Sequence, residues 1–235
     1  MRVIKCKVCG VEQSSIFSGL TGSHLQILER EKTVHQYPAD QIIFYEGDEP
    51  QALYWVCAGR VKLYKKGEKG EELILRLLGP GEIMGYRALL AGELYAATAQ
   101  AVEDTAICSI SKPILLDLLR RSPELALRLL TKMAKELRYS EELALSLAQK
   151  TVRQRTAHLL LLLLEGNKQE TISKRPLKVS VGHKDMAHMI GTSPESFSRA
   201  LHHLSLQGIL HTTRNGIYVQ NFSALKKFVN KNNST

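Results

Sequence analysis

Four polar residues in the last third of the chain have types and spacing suited to reading DNA. Glu195, Ser198, Arg199 and His202 stand at positions i, i+3, i+4 and i+7, which places them on one face of a helix. Arginine can donate two hydrogen bonds to guanine O6 and N7, and glutamate can accept one from cytosine N4. Side chains of this kind on the first turns of an exposed helix can reach base edges in a major groove.

Two short helices are expected to position this polar face. Met186 and Ala187 give the first helix an apolar side, and Gly191 permits a turn with positive φ. Ser193 then caps a second helix that begins with a proline. The apolar stripe of that second helix comprises Phe197, Ala200, Leu201 and Leu204. The pattern predicts a helix-turn-helix, and an amphipathic helix pair without a DNA role is the alternative.

A hairpin and a strong positive charge accompany the two helices. Asn215-Gly216 is a hairpin signal between two short apolar runs, so it predicts a wing. Residues 151–235 hold 12 Lys+Arg against 4 Asp+Glu, a net charge of +8, whereas residues 1–150 hold 20 against 19, or +1. A basic module favours a polyanionic partner, and a merely solvated basic face is the alternative. We expect DNA contacts from Glu195, Ser196, Ser198, Arg199, His202, Lys184 and Arg214, with Lys174 and Arg175 as further phosphate anchors.

The four cysteines are the other candidates for chemistry. Cys6 and Cys9 form a CxxC pair, which is suited to zinc or to dithiol redox chemistry. We find no signal peptide in the first residues, so a cytoplasmic location is expected, where thiols and metal ligands are commoner than disulfides. Cys57 alternates with Trp55 in a strand-like run, which is also typical of a buried core residue.

The remaining elements predict an α+β fold. Short apolar runs punctuated by glycine, from about residue 34 to 111, indicate a β-roll or jelly roll. Ser122-Pro123-Glu124 then starts a long helix without glycine. We expect an N-terminal cysteine-containing lead (1–20), a β-roll sensor domain (21–122), a dimerisation helix (123–150) and a winged helix-turn-helix domain (151–235).

A heptad pattern in the long helix predicts a homodimer. Apolar and small residues recur at alternating spacings of four and three, which gives a seam for a second copy. The seam residues are Ala126, Leu130, Met133, Leu137, Ser140, Ala144 and Leu147. Leu125, Leu127, Leu129 and Leu143 supply apolar surface for packing on the β domain of the same chain. We therefore expect one side of the helix on its own roll and the seam on a second copy, and packing on the roll alone is the alternative.

With these modules in order, almost the whole chain resembles the Crp/Fnr superfamily of transcription regulators. The segment PGEIMGYRALLAGELYAATAQAVEDTAIC and the helix PESFSRAL are most similar to the fumarate and nitrate reduction regulator (FNR) branch. That resemblance implies a cyclic-nucleotide-binding-like roll, DNA reading by Glu195, Ser198 and Arg199, and a palindromic site with half-sites like TTGAT. It also implies contact with RNA polymerase.

The resemblance further implies a [4Fe-4S]-like iron–sulfur cluster. Cys6, Cys9 and Cys108 match three of the ligands of the FNR branch, and Ser15 stands at the fourth position. Serine is a weak iron ligand compared with thiolate. The open alternatives are completion by Ser15, Cys57 or another oxygen, a zinc or dithiol site at the CxxC pair, and a vestigial pair.

Cyclic AMP binding is not expected. The cyclic-AMP receptor branch uses a glutamate and an Arg-Ser pair, where this chain has Tyr86 and either Tyr95-Ala96 or Ala96-Ala97. A buried phosphate without its arginine would be unpaired and costly.

Together with the residues above, the resemblance implies a homodimeric regulator of transcription that binds double-stranded promoter DNA and responds to a redox, oxygen or related signal. The alternative within the superfamily is a regulator without a cluster that responds to another small ligand or to none. We find no metalloprotease, phosphate-loop or serine-hydrolase motif, so an enzyme is not expected. A ligand-binding or interaction module that never touches DNA is the remaining alternative, and no membrane partner is expected.

Overall fold

A computed structural model describes residues 15–18, 20, 22–166, 182–213 and 216–229 of the chain. These residues form two compact units, and the boundary between them falls inside the long helix, between Arg138 and Tyr139. A short stretch, Glu72–Ile74, groups with the second unit. Among the described residues, no helix combines the length and the apolar character that a membrane crossing requires.

The first unit is built around a β-roll of two antiparallel sheets. One sheet has the strand order β1-β8-β3-β6 and the other β2-β7-β4-β5. The strands are β1 (Thr33–Tyr37), β2 (Ile42–Phe44), β3 (Ala52–Ala58), β4 (Val61–Lys66), β5 (Glu72–Leu78), β6 (Ile83–Met84), β7 (Thr98–Ala101) and β8 (Thr105–Ser111). The predicted β-roll is confirmed.

Strands β3 and β8 are buried on both faces because each face contacts a different core. Val56 and Ile107 pair in register and belong to the core between the two sheets. Trp55 and Cys108 also pair, but they belong to the core between the first sheet and the helices. This arrangement follows from the two-residue period of a strand, which turns successive side chains to opposite faces.

The helices of this unit are α1 (Gly22–Glu31), α2 (Tyr86–Ala91), α3 (Lys112–Arg121) and the long α4 (Pro123–Gln149). Helices α1 and α2 are not predicted by the sequence pattern. Helix α4 begins where its sequence predicted: the backbone N–H of Leu125 donates to Ser122 Oγ at 3.3 Å. That bond satisfies one amide of the first turn, which has no partner within the helix.

The face of α4 that packs on the roll differs from the expected one at two residues. Leu125 and Leu129 are buried in the helix-side core, as expected, and Met133 packs against the same core. Leu127, which we expected on the roll side, is 63% exposed. The reason is helical geometry: residues 125, 129 and 133 follow each other at i+4, whereas residue 127 lies two positions away and faces almost the opposite side.

An exposed apolar stripe is left on α4. We define the α4 stripe as Leu127, Leu130, Ala134 and Leu137. Its three leucines are between 60% and 63% exposed. The helix therefore offers an uncovered apolar surface, which shares Leu130 and Leu137 with the expected seam. Met133, another expected seam residue, is half-buried against the core of its own chain.

The second unit contains the predicted helix-turn-helix and hairpin. Its elements are α5 (Val152–Gly166), α6 (His183–Met189), α7 (Pro194–Leu206), β9 (Leu210–Thr213), β10 (Gly216–Val219) and α8 (Phe222–Val229). Strands β9 and β10 pair antiparallel, with Leu210 opposite Val219. Helices α5, α6, α7 and α8 each contribute a completely buried residue to the interior of this unit: Leu160, Ala187, Leu204 and Leu225. The expected fold, a β-roll, a long helix and a winged helix-turn-helix, is confirmed.

Candidate nucleic-acid interface

Helix α7 begins with the predicted cap. Ser193 is the N-cap, its Oγ accepts the backbone N–H of Ser196 at 3.2 Å, and Pro194 occupies the first turn. Proline costs nothing there, because an amide in the first turn has no partner within the helix. The cap fixes where α7 starts and therefore which residues of its first turns are exposed.

The two faces of α7 separate as the sequence predicted. Phe197, Ala200, Leu201 and Leu204 are buried. The expected DNA-reading residues Glu195, Ser198, Arg199 and His202 are exposed. The structure thus brings these four side chains onto one accessible face of a single helix.

Ser196 has a different position from the other expected DNA contacts. Its side chain is half-buried, and its Oγ accepts a hydrogen bond from the Arg199 guanidinium at 3.1 Å. The same hydroxyl accepts from Ser193 Oγ at 3.3 Å. Ser196 therefore orients Arg199 in the unbound protein and ties it to the capped turn.

The Glu195 carboxylate is held in its ionised form. The backbone N–H of its own residue, the Ser193 hydroxyl and the positive charge of Arg199 lower the pKa of Glu195. At neutral pH it is therefore an acceptor only, which is the state required to accept a hydrogen bond from cytosine N4.

The turn before α7 is supported by a residue that the sequence analysis missed. Gly191 has φ +61°, a conformation that L side chains rarely adopt. Arg155 on α5 donates to the backbone oxygen of Lys150 at 2.9 Å and to that of Gly191 at 3.5 Å. No spacing in the sequence distinguishes Arg155 from the other basic residues, because its role depends on contacts that cross between elements.

The other expected phosphate contacts are only partly described. Lys184 is exposed near the start of α6. Arg214, Lys174 and Arg175 lie outside the described residues. On the hairpin, His211 stacks on Tyr218 with ring centroids 4.6 Å apart.

His203 is less suited to phosphate binding than its neighbour His202. Its Nε2 lies 3.4 Å from the Arg153 guanidinium and 3.1 Å from the Gln207 amide nitrogen. Desolvation and the charge of Arg153 lower the pKa of His203, so the ring is neutral at neutral pH.

In the first unit, a network of charged groups surrounds the tyrosine that we placed at a cyclic-nucleotide ligand position. The Tyr86 hydroxyl donates to Glu136 Oε2, and Arg76 and Lys132 pair with Glu136 Oε1, the lysine at 3.0 Å. Burial and the bond to Glu136 raise the pKa of Tyr86. Burial alone would raise the pKa of Glu136, but the hydrogen bonds from Tyr86 and Arg76 and the nearby cations lower it.

This network, which we call the Glu136 network, was not anticipated from the sequence. Its members come from β5, α2 and α4, so only the fold brings them together. It links the roll to the long helix through one carboxylate.

The cysteines of the roll lie side by side. Cys108 is fully buried, Cys57 is 7% exposed, and their sulfur atoms are 2.8 Å apart. Ser15 is buried, and its Oγ accepts the backbone N–H of Phe17 at 3.0 Å. Cys6 and Cys9 lie outside the described residues, and within the described part of the chain no three metal-binding side chains cluster.

Comparison with known protein families matches both units. Residues 34–122 match the cyclic nucleotide-binding domain, and residues 154–228 match the Crp-like helix-turn-helix domain. These two matches correspond to the roll and to the module that carries α7.

Relatives over nearly the whole chain include regulators of two kinds. The chain is 35% identical to a cyclic AMP receptor protein of Thermus thermophilus over 91% of its own length and 96% of the relative. It is 30% identical to the fumarate and nitrate reduction regulatory protein of Vibrio cholerae, over 94% and 89% of the two chains.

A solved structure agrees with this pattern. FixK2 from Bradyrhizobium japonicum is similar with a TM-score of 0.72 and 27% identity, over 84% of this chain and 96% of that one. The two domain matches, the identity over full length and the shared fold lead to one conclusion. The chain belongs to the Crp/Fnr family of transcription regulators, with a helix-turn-helix DNA-binding domain.

Proposed function

We propose that this protein is a homodimeric, cytoplasmic regulator that binds a palindromic promoter site with half-sites like TTGAT and alters transcription in response to a redox or oxygen signal. RNA polymerase is the expected protein partner. In this proposal residues 21–122 are the sensor, 123–150 the dimerisation helix and 151–235 the DNA-binding domain, preceded by a cysteine-containing lead at residues 1–20.

The observation that carries the DNA-binding part is the exposed polar face of α7. Glu195, Ser198, Arg199 and His202 are accessible on a helix whose opposite face is buried. Arg199 is oriented by Ser196 and Glu195 is ionised, so one strong donor and one strong acceptor are available for base edges. Lys184 and Arg214 are proposed to contact phosphates, which position the helix without reading sequence.

The dimer is proposed to form through the α4 stripe. Leucines this exposed on a long regular helix favour a partner surface. A second copy of the same helix has the matching periodicity, since residues at spacings of three and four repeat along one side. Leu130 and Leu137 of the predicted seam belong to the α4 stripe, and Met133 also packs against the core of its own chain.

A [4Fe-4S]-like cluster is proposed as the sensor group, with Cys6, Cys9 and Cys108 as ligands and the fourth ligand open between Ser15 and Cys57. One contact supports the fit of these residues to a cluster. Phe17, which follows the CxxC pair in the chain, packs on Trp55, and Trp55 is the strand partner of Cys108. Phe17 thus lies in the same core as Cys108. When bound, such a cluster would supply an oxygen-sensitive redox group.

The fourth ligand has two candidates with different drawbacks. Ser15 already accepts a backbone hydrogen bond, and its hydroxyl is a weak iron ligand. Cys57 offers a thiol, but its sulfur lies in contact with that of Cys108, so the two would have to separate to bind different irons. Anaerobic purification followed by iron and sulfide assay tests the cluster, and an iron-free, colourless protein contradicts it.

The test of the proposed function is binding to duplex DNA. We expect full-length dimer, prepared under anaerobic conditions, to shift a palindromic TTGAT-containing duplex, with affinity that falls steeply as salt rises. A duplex of the same composition with scrambled half-sites is the control. Equal binding to both duplexes would contradict sequence-specific regulation, and no binding at low salt in any redox state would contradict DNA binding.

The second candidate is a family member without a cluster that responds to another small ligand or to none. The Glu136 network argues against cyclic AMP as that ligand, because the Tyr86 hydroxyl is already bonded to Glu136 at the position where that branch has its glutamate. We predict no cyclic AMP binding, and calorimetry with micromolar cyclic AMP would detect it.

A further inference from the structure

The described residues place two thiols in contact on neighbouring strands of the roll. Cys57 lies on β3 and Cys108 on β8, and their sulfur atoms are separated by 2.8 Å. A disulfide bond requires about 2.05 Å and side chains that point towards each other. The sulfurs therefore need to approach by less than the length of one covalent bond.

The backbone around the pair explains this contact. Trp55 is opposite Cys108 and Val56 is opposite Ile107, but the register shifts between Val56 and Ala58. Cys57 is thus the extra residue of a β-bulge, where a strand bends and re-aims a side chain. Without the register shift, Cys57 instead of Ala58 would pair with Ala106 on β8.

We propose that Cys57 and Cys108 form a reversible disulfide when the protein meets a hydroperoxide. This inference goes beyond the proposed function, because it requires neither DNA nor a metal. Both side chains are buried in an apolar core, so a small neutral oxidant such as hydrogen peroxide suits the site better than a bulky disulfide reagent.

The chemistry balances with hydrogen peroxide as the oxidant. The sulfur of Cys57, the more exposed of the two, attacks one peroxide oxygen; the O–O bond breaks, water leaves, and a sulfenic acid forms. The sulfur of Cys108 then attacks that sulfur, the S–O bond breaks, and a second water leaves as the S–S bond forms. Overall, two thiols lose two protons and two electrons, and one peroxide is reduced to two waters.

The disulfide has a consequence for metal binding at the same residue. Cysteine binds a metal as its thiolate, and a sulfur atom in a disulfide bond has no thiolate form. Oxidation of the pair and ligation by Cys108 are therefore mutually exclusive.

The test uses the full chain with both lead cysteines replaced, Cys6→Ser with Cys9→Ser, which leaves Cys57 and Cys108 as the only thiols. After treatment with hydrogen peroxide, the protein is unfolded in an alkylating agent and its peptides are mapped by mass spectrometry. We expect loss of both alkylation sites, a mass lower by two hydrogen atoms, and a peptide that joins residues 57 and 108. Treatment with dithiothreitol should restore both thiols.

A matched variant separates the disulfide from simple oxidation. Adding Cys57→Ser removes the partner, so Cys108 should then remain a thiol or gain oxygen atoms, and no cross-linked peptide should form. The same mapping on the unsubstituted protein keeps the test valid if a variant fails to fold, because peptide masses tell this bond from one involving the CxxC pair. Two alkylated thiols after peroxide, or added oxygen without a cross-link, would overturn the proposal, whatever the DNA-binding result.

Discussion

At the scale of single residues, Arg199 is the side chain of α7 that we propose contributes most to reading the DNA sequence. We expect Arg199→Ala to weaken binding to the palindromic duplex by about 1–3 kcal/mol and to relax preference at one base pair, because a bidentate contact to guanine is lost. Arg30→Ala is the matched control, since it removes the same charge from an exposed site on α1. Competition binding with single-base variants of the site measures both effects, and equal losses in the two variants would contradict the assigned role.

Glu136 gives the roll a specific sensitivity to acid. Its pKa is lower in the folded protein than the ordinary value of 4.5, so its stabilising effect is complete above that value and disappears as pH falls through the folded pKa. We expect the free energy of unfolding to fall in that acidic range more steeply for the native protein than for Glu136→Gln. At neutral pH the variant should be less stable by about 1–3 kcal/mol, because Arg76 loses the closer of its two carboxylate partners and keeps Glu82, at 3.7 Å.

Denaturant unfolding at several pH values measures this effect of Glu136. Glu141→Gln on the same helix is the control, because its side chain is exposed. Identical pH profiles for the native protein and Glu136→Gln would show that the Glu136 network contributes nothing to stability.

At the scale of elements, the α4 stripe makes a direct prediction about assembly. Leu137→Glu should weaken the dimer by about 3–5 kcal/mol, because a carboxylate would be buried without a partner across the two-fold axis. Lys135→Glu introduces the same side chain on another side of the helix and should leave the dimer intact. Sedimentation analysis distinguishes these cases, and a dimer unaffected by Leu137→Glu would exclude the stripe as the interface.

The turn of the helix-turn-helix depends on Gly191. Gly191→Ala should destabilise the protein by about 1–2 kcal/mol, because φ is +61° and the added Cβ would lie 2.9 Å from Leu147 Cδ2. Gly182→Ala is the control, since nothing lies within 4 Å of its Cβ position. Thermal unfolding measures both variants, and an equal melting temperature for the two would contradict this account.

Elements governed by local signals could be predicted from the sequence, whereas contacts between distant segments could not. The cap at Ser193, the turn at Gly191 and the buried stripe of α7 follow from residues within a few positions of each other. The Glu136 network joins residues up to 60 positions apart, from Arg76 to Glu136. The exposure of Leu127, which we expect on the roll side, has the same origin, because a heptad pattern does not reveal which side of a helix meets its own domain.

At the scale of the whole molecule, a two-fold dimer imposes a spacing on the DNA. Two copies of α7 should read half-sites about one helical turn apart, roughly 10 base pairs. Inserting about five base pairs between the half-sites should reduce affinity to the non-specific level, because the second half-site then faces away. Binding assays on the two duplexes test this, and equal affinity would indicate that each copy binds alone.

The fully buried Trp55, the chain's sole tryptophan, packs against Phe17 with ring centroids 5.1 Å apart and the rings tilted by 58°. It shares a core with Cys57 and Cys108. Its ultraviolet-excited emission therefore originates from one spot, where the amino-terminal lead meets the sulfur-bearing strands. Any event that separates Phe17 from Trp55 or changes the neighbouring sulfur atoms should change the wavelength or the intensity of the tryptophan emission. The protein thus carries a natural fluorophore at its proposed sensing centre, and experiments there need no attached dye.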